Sequence, residues 1–260
     1  DAETARIDAL IEKKERQVEV TLERRADFIL SAVTRGVNAE TALIPSGLDW
    51  APFMPAHWKP TRLKFLGQAI IGLTYNPNDL VAEGSGVPVI RANNIRSGRL
   101  VPDGLVYVDM AVPRKLKLQA GDIVICSRNG SRNLIGKNAT VSSDFVGMTF
   151  GAFNTVFRTK FSRFIYWVLQ SPIFTHQAGA YMTSTINQLT VSTLGNLIIP
   201  TPPFDEQEAI SKHIESLTPK FDAMIAKVNM SIDRLREFRS ALITAAVTGQ
   251  IDPADWRRRG

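Results

Sequence analysis

The 28 residues I-D-A-L-I-E-K-K-E-R-Q-V-E-V-T-L-E-R-R-A-D-F-I-L-S-A-V-T (7–34) align without a gap on F-D-A-M-I-A-K-V-N-M-S-I-D-R-L-R-E-F-R-S-A-L-I-T-A-A-V-T (221–248), 214 positions further on. Ten of the positions are identical: Asp8-Ala9 with Asp222-Ala223, Ile11 with Ile225, Lys13 with Lys227, Glu23 with Glu237, Arg25 with Arg239, Ile29 with Ile243, and Ala32-Val33-Thr34 with Ala246-Val247-Thr248. Helical composition alone produces a few such matches. The related endings V-T-R-G-V-N and V-T-G-Q-I-D, where both patterns stop, are harder to obtain that way. A period this long is not that of a solenoid. It implies one helix per period with a whole globular unit between the copies.

Each stretch reads as a long helix. Ile7, Leu10, Ile11, Val18, Leu22, Ile29, Ala32 and Val33 recur at helical spacing, and no Gly or Pro interrupts them before Gly36, a natural stop. Phe221, Met224, Val228, Ile232, Leu235, Leu242 and Ala246 follow steps of three, four or seven. Such narrow apolar rows suit a coiled-coil partner better than a flat sheet. The expected seam comprises Ile7, Leu10, Val18, Leu22 and Ile29 with Val228, Ile232, Leu235 and Leu242.

Between the helices the pattern changes. Short β-rich runs, V-P-V-I-R (87–91), G-L-V-Y-V (104–108), D-I-V-I-C-S (122–127) and F-N-T-V-F-R (153–158), are separated by turn-formers. Ser162–Gln170 and Pro172–Gln177 read as helices. A further helix is expected from Asp205, with Glu208 placed for a capping box, and Pro219 is expected to break or kink it. The expectation is an α+β chain in three parts: a long helical arm over 1–43, a globular domain over 44–204, and a second helical region over 205–260.

Charge follows the same division. Residues 1–36 carry 7 basic and 8 acidic side chains, and residues 205–260 carry 9 and 9. Residues 37–204 carry 15 and 8, a net +7 that accounts for the excess of the whole chain. A basic body between near-neutral helices points to a polyanion at the body and proteins at the helices. A mildly basic soluble domain is the bland alternative. The single cysteine, Cys126, excludes an internal disulfide framework and fits a cytoplasmic setting. No run of 18 apolar residues is present, so no membrane partner is expected. The opening D-A-E-T-A-R-I-D does not read as a signal peptide. It starts at Asp1 rather than Met, which leaves open a fragment, a processed product or a trimmed chain.

Catalytic patterns are missing. His57, His176 and His213 are far apart in sequence, and with one cysteine neither a zinc cluster nor Cys-His catalysis has support. No G-x-x-x-x-G-K-S/T loop occurs, and Gly84-Ser85-Gly86 reads as a turn. Thr201-Pro202-Pro203-Phe204 resembles the Asn/Asp-Pro-Pro-Phe/Tyr box of adenine methyltransferases, but threonine replaces the side chain that would bind the adenine amino group. No metal site, cofactor or catalytic residue is therefore expected in this chain.

Polar clusters fit DNA readout better. Ser127, Arg128, Asn129, Ser131, Arg132 and Asn133 surround Gly130 after an apolar run, with Lys137 close behind. Arginine can pair with guanine O6 and N7, and asparagine with adenine N6 and N7. Arg91, Asn93, Asn94 and Arg96 form a second cluster. Thr185, Asn187 and Gln188 lie in an uncharged third, T-S-T-I-N-Q (183–188), which a capped helix start explains equally well. A polar hairpin loop is the alternative for the first; three clusters in one basic segment favour DNA.

Several segments together resemble one family. I-P-S-G-L-D-W-A-P-F-M-P-A-H-W-K-P-T-R-L-K-F-L-G (44–67), with its P-x-H-W-x-x-x-R-L core, resembles the start of the target-recognition domain of type I restriction specificity subunits. G-D-I-V-I-C-S-R-N-G-S (121–131) resembles that domain's strand and polar loop. S-P-I-F (171–174), T-S-T-I-N-Q-L-T (183–190) and I-P-T-P-P-F-D-E-Q-E-A-I (199–210) resemble its closing segment. The resemblance covers essentially the whole chain, and the ordered combination is more specific than any one motif. It implies a non-catalytic subunit that binds double-stranded DNA, with two long helices packed as an antiparallel coiled coil. It also implies modification (methyltransferase) subunits, which carry the methyl-donor cofactor, and a motor-nuclease restriction subunit as partners. A complete member has two recognition domains; this chain has one and resembles the second half. A second copy of the chain, or a missing N-terminal half, would complete the pair. A helical protein-interaction scaffold and a DNA-modifying enzyme are the competing readings.

Overall fold

The computed structural model describes residues 2–181 and 188–250. Helix α1 (Ala2–Arg35) leads into a hairpin of β1 (Leu43–Leu48) and β2 (Ala51–Pro55). Then come β3 (Lys59–Arg62), β4 (Gln68–Ile71), β5 (Leu80–Val81), β6 (Val87–Ile90), β7 (Ile95–Arg96), β8 (Arg99–Leu100) and β9 (Val106–Val108). They are followed by β10 (Ile123–Cys126), β11 (Asn138–Thr140), β12 (Thr149–Phe150) and β13 (Asn154–Arg158). Helices α2 (Ser162–Gln170), α3 (Pro172–Tyr181) and α4 (Val191–Asn196) precede β14 (Ile198–Thr201) and the long α5 (Phe204–Val247). The chain is α+β. It divides into two compact units, one formed by the residues up to Ala26 with those from Glu215 onward, the other by Asp27–Ile214. The sequence boundary at 43/44 falls within β1, and that at 204/205 within the first turn of α5. The structural division instead cuts through both long helices, because their inner ends pack into the globular core.

The helical unit is an antiparallel pair. Asp8 faces Arg239, Glu15 faces Arg236 at 2.7 Å, and Arg25 faces Asp222 at 2.9 Å. One row of protected residues on each helix steps by three and four: Thr4, Ile7, Ile11, Lys14, Val18, Thr21 and Arg25 on α1, and Thr218, Phe221, Ile225, Val228, Ile232, Leu235, Arg239 and Leu242 on α5. This is a 3.5-residue repeat, that of a left-handed coiled coil. Ile7, Val228 and Ile232 are buried, and Val18, Leu235 and Leu242 half-buried. Leu10 and Leu22 correct the sequence reading: they are 42% and 50% exposed, and Ile11 and Thr21 occupy the protected positions beside them. Thr21 can be buried because its hydroxyl donates to the Gln17 carbonyl at 2.7 Å. Ile29 is a second correction, since it is fully buried in the core of the other unit.

The globular unit is layered. One sheet has the order β11-β10-β13-β4 and is antiparallel throughout. A second, β12-β6-β9-β5, has its β12-β6 pair parallel. β10 is buried on both faces, which explains its uninterrupted apolar run. Ile123 and Ile125 belong to a core with α2, α3 and the inner ends of α1 and α5. Val124 and Cys126 belong to a core with the second sheet, among Val89, Ile90, Val108 and Phe150. Successive side chains of a strand point to opposite faces, so one short strand supplies both cores.

The two ends of this domain are tied together. β14 pairs antiparallel with β3, Ile198 opposite Arg62 and Thr201 opposite Lys59. Glu206 in the first turn of α5 contacts His57 Nε2 at 2.6 Å and accepts a hydrogen bond from Trp58 Nε1 at 2.9 Å. The capping box expected at Asp205 and Glu208 is replaced: the helix starts at Phe204, and Glu208 pairs with Arg163 at 2.8 Å. Nor does Pro219 end the helix, which continues to Val247. The lost backbone hydrogen bond is outweighed by packing on either side, from Ile210 and Ile214 before it and Val228 and Ile232 after it.

Candidate nucleic-acid interface

Antiparallel pairing brings three loops to one end of the first sheet. β10 ends there at Cys126, β11 begins there at Asn138, β13 begins at Asn154, and β4 ends at Ile71. The segments 127–137, 151–153 and 72–76 therefore share that end. Leu73 N donates to Phe150 O at 2.7 Å and Ala152 N to Leu73 O at 2.9 Å. A side chain at Gly72 would collide with the Gly151 carbonyl. Gly136 closes the 127–137 loop at φ +88°, where a side chain would run into the Phe174 ring. Glycine is needed at both places, for close approach and for a positive φ.

The opposite end of the sheet is locked by charge. Asp122, almost fully buried, receives Arg158 Nε at 2.8 Å and Nη2 at 2.7 Å. This hydrogen-bonded carboxylate raises the Arg158 pKa, against the opposing effect of burial. The loop end presents exposed cations and apolar groups: Arg128, Arg132, Leu134 and Phe153.

Arg128 is the most defined of these. Its Nη2 donates to Gln188 Oε1 at 2.7 Å, and its guanidinium lies 5.8 Å from the centroid of Phe153, a cation–π distance. The backbone reinforces the cluster. Arg128 and Gln188 form an antiparallel bridge, Leu189 N donates to Ser127 O at 2.8 Å, and the amides of Ser127 and Arg128 both donate to Phe153 O.

The other predicted residues of this loop are placed differently. Ser127 is buried, its hydroxyl on Phe153 O at 3.1 Å. Asn129 accepts from Ser131 N at 3.0 Å and its side chain is hydrogen-bonded to the Cys126 thiol, so it shapes the turn. Ser131, Arg132 and Asn133 are exposed and Lys137 half-buried. Burial pushes the Cys126 thiol pKa up, outweighing the lowering effects of Lys137 and the Asn129 hydrogen bond.

In the second cluster one residue turns inward. Asn94 is fully buried: its Oδ1 accepts from Arg91 N, and its Nδ2 donates to the carbonyls of Val101 and Asp103. A buried amide must satisfy its polar atoms, and this one does so on the backbone, which withdraws Asn94 from any surface. Arg91 donates to Gly104 O at 2.8 Å, and Arg96 pairs with Asp103 at 3.0 Å; Asn93 and Arg96 are exposed. Thr185 and Asn187 lie outside the described residues. Sequence reasoning missed Phe153, which it took only as the start of a strand. An aromatic next to Gly151-Ala152 was the available signal, and only the tertiary pairing of two distant loops gives it meaning. Among the described residues no cluster of three or more His, Cys, Asp or Glu is arranged to hold a metal, and no helix is long and apolar enough to cross a membrane.

Residues 55–233 match the family described as type I restriction modification DNA specificity domain. The EcoKI specificity subunit of Escherichia coli K12 is 29% identical over 211 residues, 78% of this chain and 45% of that protein. The StySPI specificity subunit of Salmonella potsdam is 28% identical over 208 residues, 77% and 45% of the two chains. The chain thus spans a little under half the length of these relatives. A chain from a structure concerned with complex assembly of the type I R-M system superposes with a TM-score of 0.64 at 18% identity, covering 93% of this chain and 57% of that one. The HsdS subunit from Thermoanaerobacter tengcongensis gives 0.54 at 17% identity, covering 95% and 57%. At these identities the structures speak to the fold. With a family match over well more than half its length, this chain belongs to the type I restriction-modification DNA specificity family.

Proposed function

We propose that this chain is a non-catalytic specificity component that binds double-stranded DNA and reads one half of a bipartite target. The observation that supports this most directly is the loop end of the first sheet. An exposed arginine is held there by an amide and an aromatic ring, inside the segment that carries the net positive charge. Arg128 and Arg132, with Asn133, Lys137 and Gln188 around them, contact base edges or adjacent phosphates in this reading. Arg91, Asn93 and Arg96 contribute at most to the backbone.

The paired helices dock the modification and restriction subunits. Their near-neutral charge suits protein contact better than phosphate contact. About 28 residues at ~1.5 Å each make a rod of roughly 42 Å, a little more than the 34–36 Å of one DNA turn. Such a rod sets the spacer between two half-sites, the second half-site being read by another copy or by a complementary half. The test is methylome sequencing of cells with and without this chain beside its modification subunit. A bipartite motif that depends on the chain supports the reading. Turnover by the purified chain alone, with target DNA, magnesium and methyl donor, would overturn its non-catalytic part.

A further inference from the structure

We propose that Arg128 reads a guanine, and that Gln188 and Phe153 are positioning residues that hold its guanidinium in the reading pose before DNA arrives. This rests on the DNA-binding reading above and adds to it the base and the division of labour.

The argument starts from flexibility. A free arginine on a loop samples many rotamers, and ordering such a side chain on binding weakens both affinity and discrimination. Arg128 is constrained on two sides that are independent in sequence. Gln188 Oε1, 60 residues away, accepts from Nη2 at 2.7 Å, and the Phe153 ring lies 5.8 Å from the guanidinium carbon. Both constraints are set by backbone, through the Arg128–Gln188 bridge and the two amides that share Phe153 O. An amide acceptor is suited to the task. It fixes one N–H without neutralising the charge, where a carboxylate would compete with the nucleic acid.

Chemistry then selects the base. A guanidinium has five N–H donors and no acceptor. Gln188 takes one, and the remainder can make the two-point contact that O6 and N7 of guanine accept in the major groove. Adenine places a donor where guanine has O6, and that position would repel an arginine. Phe153 remains 60% exposed although it packs under a charge, so its outer edge is available to a neighbouring base or sugar. Neighbouring polar groups do not offer the same preparation, since Asn129 and Ser127 are spent on their own turn.

The experiment is selection of the full chain against a pool of random duplex DNA, in parallel for wild type, Arg128→Ala, Gln188→Met, Phe153→Leu and Phe153→Tyr. The wild-type motif should contain a guanine whose preference falls roughly 5- to 150-fold in Arg128→Ala, with the remaining positions unchanged. Gln188→Met and Phe153→Leu should relax that same position by a smaller factor, about 2- to 12-fold, and Phe153→Tyr should preserve it. A merely structural role would lower binding to every sequence alike. As a check that needs no variant, 7-deazaguanine at that position should weaken wild-type binding, because it removes the N7 acceptor. The proposal is overturned if Arg128→Ala leaves every preference intact, if the relaxed position is not guanine, or if the two positioning variants lose affinity uniformly. If wild type selects no motif, the DNA reading itself falls and this inference with it, a result distinct from the others.

Discussion

Arg25 donates through Nε to Asp222 Oδ1 at 2.9 Å, and the 214-residue duplication carries this pair onto Arg239 and Asp8, which also pair, with Arg239 Nη2 donating to Asp8 Oδ2 at 3.1 Å. The roles are exchanged between the helices: the arginine is on α1 in one pair and on α5 in the other. The repeat is therefore visible in contacts as well as in residues, and the helix pair carries an approximate two-fold axis of its own.

The two pairs should therefore be nearly equivalent in energy. Both are partly solvent-exposed, so each should couple by only about 0.2–1 kcal/mol. Double-mutant cycles with Arg25→Ala and Asp222→Ala, and with Arg239→Ala and Asp8→Ala, followed by urea unfolding, would measure this. Both couplings should shrink in high salt. A coupling well above this range in one pair alone would show that the duplication no longer governs the contacts.

The register of the coiled coil gives a sharper contrast. Ile7→Ala should destabilise the helix pair by about 2–4 kcal/mol, because it empties a buried seam position. Leu22→Ala should change stability by less than about 0.5 kcal/mol, since half of that residue is already in water. Far-UV circular dichroism during urea titration reads both. Equal effects would contradict the seam through Ile11 and Thr21.

Removing Asp122 leaves Arg158 partly buried without its carboxylate and also frees the Gln119 amide, which donates to Asp122 Oδ2 at 2.9 Å. Asp122→Ala should cost about 3 kcal/mol, and Asp122→Asn less, because it keeps an acceptor. Thermal melts of the two variants would rank them. The sheet end that carries Arg128 lies at the other end of β10 and β13, so the DNA preference of any variant that still folds should persist.

Cys126 makes a pH prediction. Burial raises its thiol pKa above the ordinary value, so the unfolded chain loses this proton more readily than the folded one. Above about pH 8.5 the unfolded state therefore binds fewer protons, and stability falls as pH rises; below that value the contribution is complete. Cys126→Ala should flatten the alkaline part of the profile. Iodoacetamide should label native protein far more slowly than protein in urea, as judged by mass spectrometry.

Much of this was legible in the residues themselves. The length of α1, the helical character of the C-terminal stretch, the β10 run, the span of α2 and the basic middle all follow from local rules: period 3.6 against period 2, turn-formers between, and charge by segment. The duplication marked the helices as partners because both copies keep one spacing. The family resemblance rested on motifs in order along the chain, most of which lie within the family match over residues 55–233.

Other features depended on what lies across each contact. Leu10 and Ile11 are both correctly spaced from Ile7, and only the opposing helix chooses between them. Pro219 looks like a helix end until packing on both sides outweighs one missing hydrogen bond. Asn94 and Arg128 stand in similar Arg-Asn clusters after similar strands, yet Asn94 is buried and bound to backbone while Arg128 is held at the surface by Gln188 and Phe153. Local sequence determines which groups can hydrogen-bond. Whether they bond inward or outward is decided by the residues that the fold brings beside them, because a buried polar atom must find its partner there and an exposed one need not.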